Sequence, residues 1–281
     1  MSLDPRRHAY RPDLADIRLE GRVESARFVT GALRSVVVPA ADLRRRPSDD
    51  APLDTQALHG EQVAVFECRV DGWSWVQLER DSYVGYVRES ALGALAQSAS
   101  HRVSVPRTFI YSVADVKAPP RAWLPLGALI ACAAHDDRFL ALADGGFVIA
   151  RHVAEIGVSS PDFVAVAESF LGVPYLWGGK TGLGLDCSGL VQVALSAAGI
   201  AAPRDSDMQA TELGQGINDY TALRRGDLVF WPGHVGVMHD AKTLLHANGH
   251  HMQVATEKLA DAVERIAERT SSPITAIRRI A

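Results

Sequence analysis

From about residue 33 to 155 the chain alternates short apolar runs with polar breaks rich in Gly, Pro and Asp. That pattern predicts short strands in small all-β units, with no long amphipathic helix among them. Glu61 to Phe66, Trp73 to Leu78 and Tyr83 to Val87 read as strands. A second, fainter copy follows in LPLGALIACAAHDDRFLALADGGFVIARHVAEI, which repeats a glycine-led strand, a central strand and a Gly-aromatic-Val close. The pattern changes near Ser159-Ser160-Pro161. There Phe163, Val164, Val166, Ala167 and Phe170 fall at helical spacing, with Ser160 as the expected N-cap and Gly172 after the end. A helix over about Ser188 to Ala198 comes next, then strands near 227–231, 234–239 and 243–247 and a helix-strand tail, an α+β order. The expected organisation is an arm over 1–32, all-β units over 33–97 and 98–156, and an α+β domain over 157–281. The arm reads as extended or partly helical, with no assignable chemistry.

At 281 residues the chain exceeds the roughly 100–200 residues of one domain, in keeping with several units. Its 47% hydrophobic and 22% charged residues are ordinary globular composition. A net charge of -4 gives no broad basic field, and Arg44-Arg45-Arg46 before Pro47 reads as a solvated turn, so no nucleic-acid partner is expected. The first residues lack the apolar core of a signal peptide, and no apolar run is long enough to span a bilayer. The expectation is therefore a cytoplasmic protein with no membrane partner. Cys68, Cys132 and Cys187 are odd in number and widely spaced, which argues against a disulfide framework and suits a reducing compartment.

The stretch PYLWGGKTGLGLDCSGLVQVALSAAG carries the chemistry. A glycine-rich loop delivers Asp186 and Cys187 to the start of a helix whose apolar positions are Leu190, Val191, Ala194, Leu195 and Ala198. Helix-start N–H groups and the helix dipole favour a thiolate there, predicting a pKa below the free value of about 8.5, and they offer donors for an oxyanion. A lone cysteine is more often a small buried hydrophobe. That reading suits Cys68 and Cys132, which lie in apolar β runs, and it fails for Cys187 between two polar neighbours.

Two histidines follow in GDLVFWPGHVGVMHDAKTLLHANG. A hairpin centred on Asp240 would set His234 opposite His246, Cβ atoms about 4.5–5.5 Å apart, with Val235 and Leu245 paired on the buried face. A base whose far ring nitrogen is held by a second polar group is what a nucleophilic thiol requires. The competing readings are solvated strand histidines, or a metal on His246, His250 and His251. No carboxylate or cysteine stands at a familiar zinc spacing, so no metal is expected. His239, near the turn, reads as structural or exposed.

In this order, PYLWGGKTGLGLDCSGLVQ, PRDSDMQA and GHVGV followed by HANG resemble the NlpC family of papain-like cysteine peptidases, over roughly 159 to 281. The resemblance implies Cys187 as nucleophile, His234 as base and His246 as the residue orienting it. The 33–97 segment resembles a bacterial SH3-like domain through Leu43-Arg44, Gly60-Glu61, Gly72-Trp73 and Gly85-Tyr86-Val87. The implied architecture is α+β, a papain-like NlpC domain preceded by two small all-β SH3-like barrels. Chains of this kind resemble YkfC-like enzymes, which cut between γ-D-glutamate and a diamino acid in murein stem peptides, with no cofactor. In that branch the first SH3-like domain closes one end of the cleft, and acidic and tyrosine side chains hold the free amine of L-alanine. Asp186, Ser188, Asp205, Ser206 and Tyr175 are then expected along the substrate site. Tyr83 with Asp54 or Asp81 are the candidates for the amine pocket, or else barrel packing and solvated loops. Arg204 reads either as a salt-bridged loop residue or as a grip on a substrate carboxylate. The alternative functions are a papain-like amidase or acyltransferase on another amide, a secreted wall hydrolase, and a wall-binding protein with a vestigial peptidase.

Overall fold

The computed structural model describes residues 3–218, 220, 222–270 and 273–280. The chain divides into two compact units, Met1–Ile156 and Gly157–Ala281.

In the first unit the strands Leu53–Leu58, Ala40–Arg44, Val84–Arg88, Trp73–Leu78, Gln62–Cys68, Ala32–Val36 and Leu92–Gly93 neighbour one another in that order. Their inward side chains, among them Leu43, Val63, Val76, Leu78, Tyr83 and Val87, form one core. The next residues repeat this arrangement. Pro120–Pro125, Arg107–Tyr111, Phe147–Ile149, Phe139–Leu142 and Cys132–His135 follow the same neighbour order as the first five strands, and Leu129–Ile130, His101–Val103 and Val153–Glu155 follow that of the last three. Each copy also places a 3-10 turn before its final strand, Glu89–Ala91 and Ala150–His152. The second copy has its own core of Val103, Leu124, Ala128, Ile130, Leu142 and Val148. Gly60 and Gly127 occupy matching tight turns with φ of +78° and +87°, where a side chain would strain the backbone. The arm is ordered against the first copy. Ala9 and Leu14 pack on Ala64, Phe66 and Trp75, and the Arg11 guanidinium lies 4.3 Å above the Trp75 ring.

The second unit is a six-stranded antiparallel sheet in the order Gln215–Gly216, Ala276–Arg279, Asp227–Trp231, His234–Met238, Thr243–Asn248, Gln253–Lys258. Its strands alternate apolar residues toward both faces. Leu228, Phe230, Val235 and Val237 pack on helix α2 (Cys187–Ala197) and on Val164 of α1 (Phe163–Glu168). Val229, Trp231, Met238 and Leu244 pack on the opposite side, against helix α4 (Leu259–Thr270) through Ala262, Leu259, Val263 and Ile266. Helix α3 spans Ser206–Glu212. Helix α1 is capped by Asp162 and not by Ser160. The Asp162 carboxylate accepts from the N–H groups of Val164 and Ala165 at 2.8 and 3.2 Å, while the Ser160 hydroxyl donates to the Asp162 carbonyl. Among the described residues no helix is long and apolar enough to cross a membrane.

Candidate active site

Helix α2 starts at Cys187 because Asp186 caps it, its Oδ1 accepting from Gly189 N–H at 2.7 Å. The other carboxylate oxygen accepts from Gly178 N–H at 2.8 Å and from Arg204 Nη2 at 2.6 Å. Arg204 Nη1 donates to Ser188 Oγ at 2.8 Å. Arg204 is 2% exposed, so it is a buried tie between the Cys187 turn and the chain before α3, not a grip held out for a ligand carboxylate. Gly189 is required here, since a Cβ would run into the Gly179 carbonyl. Asp186 and Ser188 therefore shape the loop around the thiol. Asp205 and Ser206, both half-buried, stand at the head of α3, and Tyr175 is half-buried, its phenol pKa raised by burial and then by the charges that Cys187 and Asp186 would carry.

Cys187 is 8% exposed and lies against the backbone N–H groups of Val235 and Ser188. The thiolate predicted from the helix start is not what this burial favours. Desolvation, reinforced by the Asp186 charge, pushes the thiol up to about 12, and the two N–H groups and the more distant Arg204 only partly offset it. His234 moves the other way. Burial, and then the neighbouring His246 and Arg265, take its pKa down to about 3, against a smaller pull from Glu257. Both shifts disfavour the charged form of the group concerned.

The histidines meet, but in a different register from the expected one. Val237 pairs with Leu245 and Met238 with Leu244, so the hairpin is centred on residue 241 and His234 lies diagonal to His246, not opposite it. The cause is Asp240, whose side chain accepts from the N–H groups of Lys242 and Thr243, both at 2.8 Å, and moves the turn one residue on. Gly236 stands between the two histidines, where a Cβ would meet the Leu244 side chain at 2.7 Å. His234 Nε2 and His246 Nδ1 are 2.8 Å apart. His239 instead lies with Nδ1 2.7 Å from Glu168 Oε1.

Sequence reasoning missed what lies beyond. His246 Nε2 is 2.7 Å from Glu257 Oε1, and Arg265 of α4 donates to the same carboxylate. Glu257 stands on the strand Gln253–Lys258, paired with Leu244 and so diagonal to His246. Its signal in the sequence was only the alternation of that strand. His246, His251 and Glu257 present ligand atoms within 4.8 Å of one another. The His246 and Glu257 atoms are already bonded to each other, and a guanidinium holds the carboxylate, so the donor set does not fit a resident cation.

In the first unit Tyr83 is 4% exposed and belongs to the barrel core, yet with Asp54, Arg6 and Arg45 it lines a cavity of about 600 Å³. Asp54 is 3.3 Å from Arg45, and Asp81 accepts from Tyr83 N–H at 3.1 Å. Asp81 is not among the residues lining that cavity.

The comparisons with known proteins agree with this geometry. Residues 43–92 match the profile of the bacterial dipeptidyl-peptidase Sh3 domain, and residues 172–268 that of the NlpC/P60 family. The chain is 25% identical to dipeptidyl-peptidase 6 of Lysinibacillus sphaericus, over 86% of this chain and 97% of that one. It is 27% identical to a gamma-D-glutamyl-L-lysine dipeptidyl-peptidase of Bacillus subtilis, over 70% and 73%. A probable endopeptidase of Corynebacterium glutamicum is 32% identical, over 56% of this chain and 79% of its own length. The fold is similar to that of an NlpC/P60 family protein from Bacillus cereus, with a TM-score of 0.74 and 21% identity, over 88% of this chain and 99% of that one. With the thiol at a helix start and a histidine pair on the adjoining strands, these matches show that the chain belongs to the NlpC/P60 family of cysteine peptidases.

Proposed function

We propose that the protein hydrolyses the bond between γ-D-glutamate and the following diamino acid in murein stem peptides that begin with a free L-alanine. Cys187 is the nucleophile, His234 its base and His246 the group that orients the base. The observation that carries this reading is the buried Cys187 thiol, lying against the backbone N–H groups of Ser188 in α2 and of Val235, the residue after His234, whose ring meets His246 of the next strand. The relatives named as dipeptidyl-peptidases supply the substrate class.

Burial disfavours charge on both groups, so in this reading His234 takes the thiol proton as Sγ attacks the γ-carbonyl carbon. The N–H groups at the start of α2 receive the developing oxyanion, and Tyr175 is our candidate for a further donor. The imidazolium returns its proton to the departing amine of the diamino acid. Water, activated by the same imidazole, then cleaves the thioester and releases L-alanyl-D-glutamate.

We further assign residues 33–97 and 98–156 to two copies of one SH3-like module, on the strength of their shared strand order. Asp54 and Tyr83 are our candidates for recognising the substrate amine, since they share a cavity, and Asp81 serves to fix the Tyr83 turn. A free-amine requirement fits recycling of released peptides in the cytoplasm better than attack on intact wall. Incubating the protein with free tripeptide and with purified sacculi tests this. Tripeptide cleavage with little release from sacculi is expected, and comparable rates on both would overturn it.

A further inference from the structure

The geometry points to Glu257 as a positioning residue that decides which nitrogen of His234 is the base, with Arg265 holding its carboxylate in place. This inference rests on the reading of His234 as the base. A carboxylate cannot donate, so at 2.7 Å from Glu257 Oε1 the His246 Nε2 must carry the proton of the neutral ring. His246 Nδ1 is then a bare acceptor. The 2.8 Å contact between His246 Nδ1 and His234 Nε2 has room for one proton, which must therefore sit on His234 Nε2. His234 Nδ1 is left as the lone pair available to a thiol. Without the carboxylate, the opposite arrangement is equally well bonded between the two rings: His246 Nδ1–H donates to His234 Nε2, and His234 carries its proton on Nδ1, where it cannot accept one from Cys187.

The surroundings support this assignment. His246 is 1% exposed, so bulk water is poorly placed to replace the carboxylate. Burial works against the Glu257 charge, but the His246 bond and the Arg265 cation outweigh it and hold the carboxyl below its usual range. The charged or titratable groups facing His246 are His234 from the preceding strand, Glu257 from the next strand, Arg265 from α4 and His251 from the turn between the strands. Glu257 is the obligate acceptor among them, and burial keeps the His246 ring uncharged, which a one-proton relay requires.

The direct test is nitrogen NMR of the intact protein with labelled histidines near neutral pH, which distinguishes protonated from bare ring nitrogens. In the parent, His246 and His234 should both carry the proton on Nε2. Glu257→Leu should give mixed or reversed tautomers and lower kcat on the tripeptide by on the order of a hundredfold with KM little changed, the kind of loss a wrong tautomer produces. Glu257→Gln, whose carbonyl can still accept from His246 while facing Arg265, should keep the parental tautomers and recover most of the rate. A proton on His234 Nδ1 in the parent, or parental tautomers and rate in Glu257→Leu, would overturn the assignment. The parent spectrum needs no variant, so a misfolded variant leaves the test intact. It also needs no substrate: absence of tripeptide cleavage would sink the proposed function, while the tautomers would report on Glu257 separately.

Discussion

The central chemical consequence at the residue scale is that burial outweighs the helix start at Cys187. The helix-dipole contribution is worth about 0.3–2 kcal/mol, while moving a fully buried thiol out of water can shift its pKa by several units. The sequence showed the first effect, through the position of Cys187 at a glycine-rich turn before an apolar helix. It could not show the second, because depth depends on residues such as Val164, Phe230 and Val235, which join the core around Cys187 from elsewhere in the chain. The signs give a definite pH profile. His234 must be unprotonated to act, and its lowered pKa means that it stays so well below the usual histidine value of about 6.5. The acid limb of kcat/KM for the free enzyme should therefore lie below pH 6.5, and alkylation of Cys187 by iodoacetamide should be slow at pH 7 and rise only in alkaline solution. Rapid alkylation persisting down to about pH 4, as low-pKa cysteines show, would mean a preformed ion pair instead. Among the substitutions, His234→Ala should lose nearly as much turnover as removal of the thiol, while His246→Ala should retain a measurable residue because it only orients the base. Steady-state kinetics on the tripeptide separates these cases.

The elements show where sequence reasoning succeeds and where it stops. The α2 start was legible because Asp-Cys-Ser-Gly interrupts an otherwise apolar pattern with a capping side chain. The His234 hairpin was legible as a hairpin but misplaced by one residue at its centre, because the Asp240 side chain and not chain symmetry closes the turn. Glu257 and Arg265 were invisible as a pair: one is an acid on an edge strand and the other a base on an amphipathic helix, and each alone reads as solvated surface. The role of Arg204 was left open and is decided by its burial against Asp186. That pair gives a stability prediction. Asp186→Ala removes the α2 cap and strands a buried guanidinium, so it should destabilise the fold by about 3–5 kcal/mol, the usual cost of breaking one side of a buried ion pair. Asp186→Asn keeps the cap's hydrogen-bonding oxygen and should cost less. Denaturant unfolding of the two variants checks this, and equal midpoints with the parent would show that the network contributes little.

Across the whole molecule, the two all-β copies and the α+β unit could be read from the change of periodicity near residue 160, and the second copy emerges more clearly in strand order than in sequence. What composition could not supply is the ligand of the Asp54–Tyr83 cavity, because residues lining it come from the arm and from separate barrel strands. If that cavity holds the substrate ammonium, N-acetylation of the tripeptide should lower kcat/KM by at least about a hundredfold, since it removes the charge and the donors that the cavity would bind. Asp54→Asn should lower the rate on the free peptide and narrow that difference. Equal rates on acetylated and free peptide would remove the amine pocket from the account while leaving the thiol chemistry in place.

The most direct measurement is mass analysis of the products formed from L-Ala-γ-D-Glu-diamino acid peptides, with lysine and with meso-diaminopimelate, by the parent and by Cys187→Ala. The parent should release L-alanyl-D-glutamate and the diamino-acid fragment from at least one of the two, and Cys187→Ala should release neither. Turnover that survives in a folded Cys187→Ala protein, or cleavage by the parent at any bond other than the γ-D-glutamyl one, would contradict it.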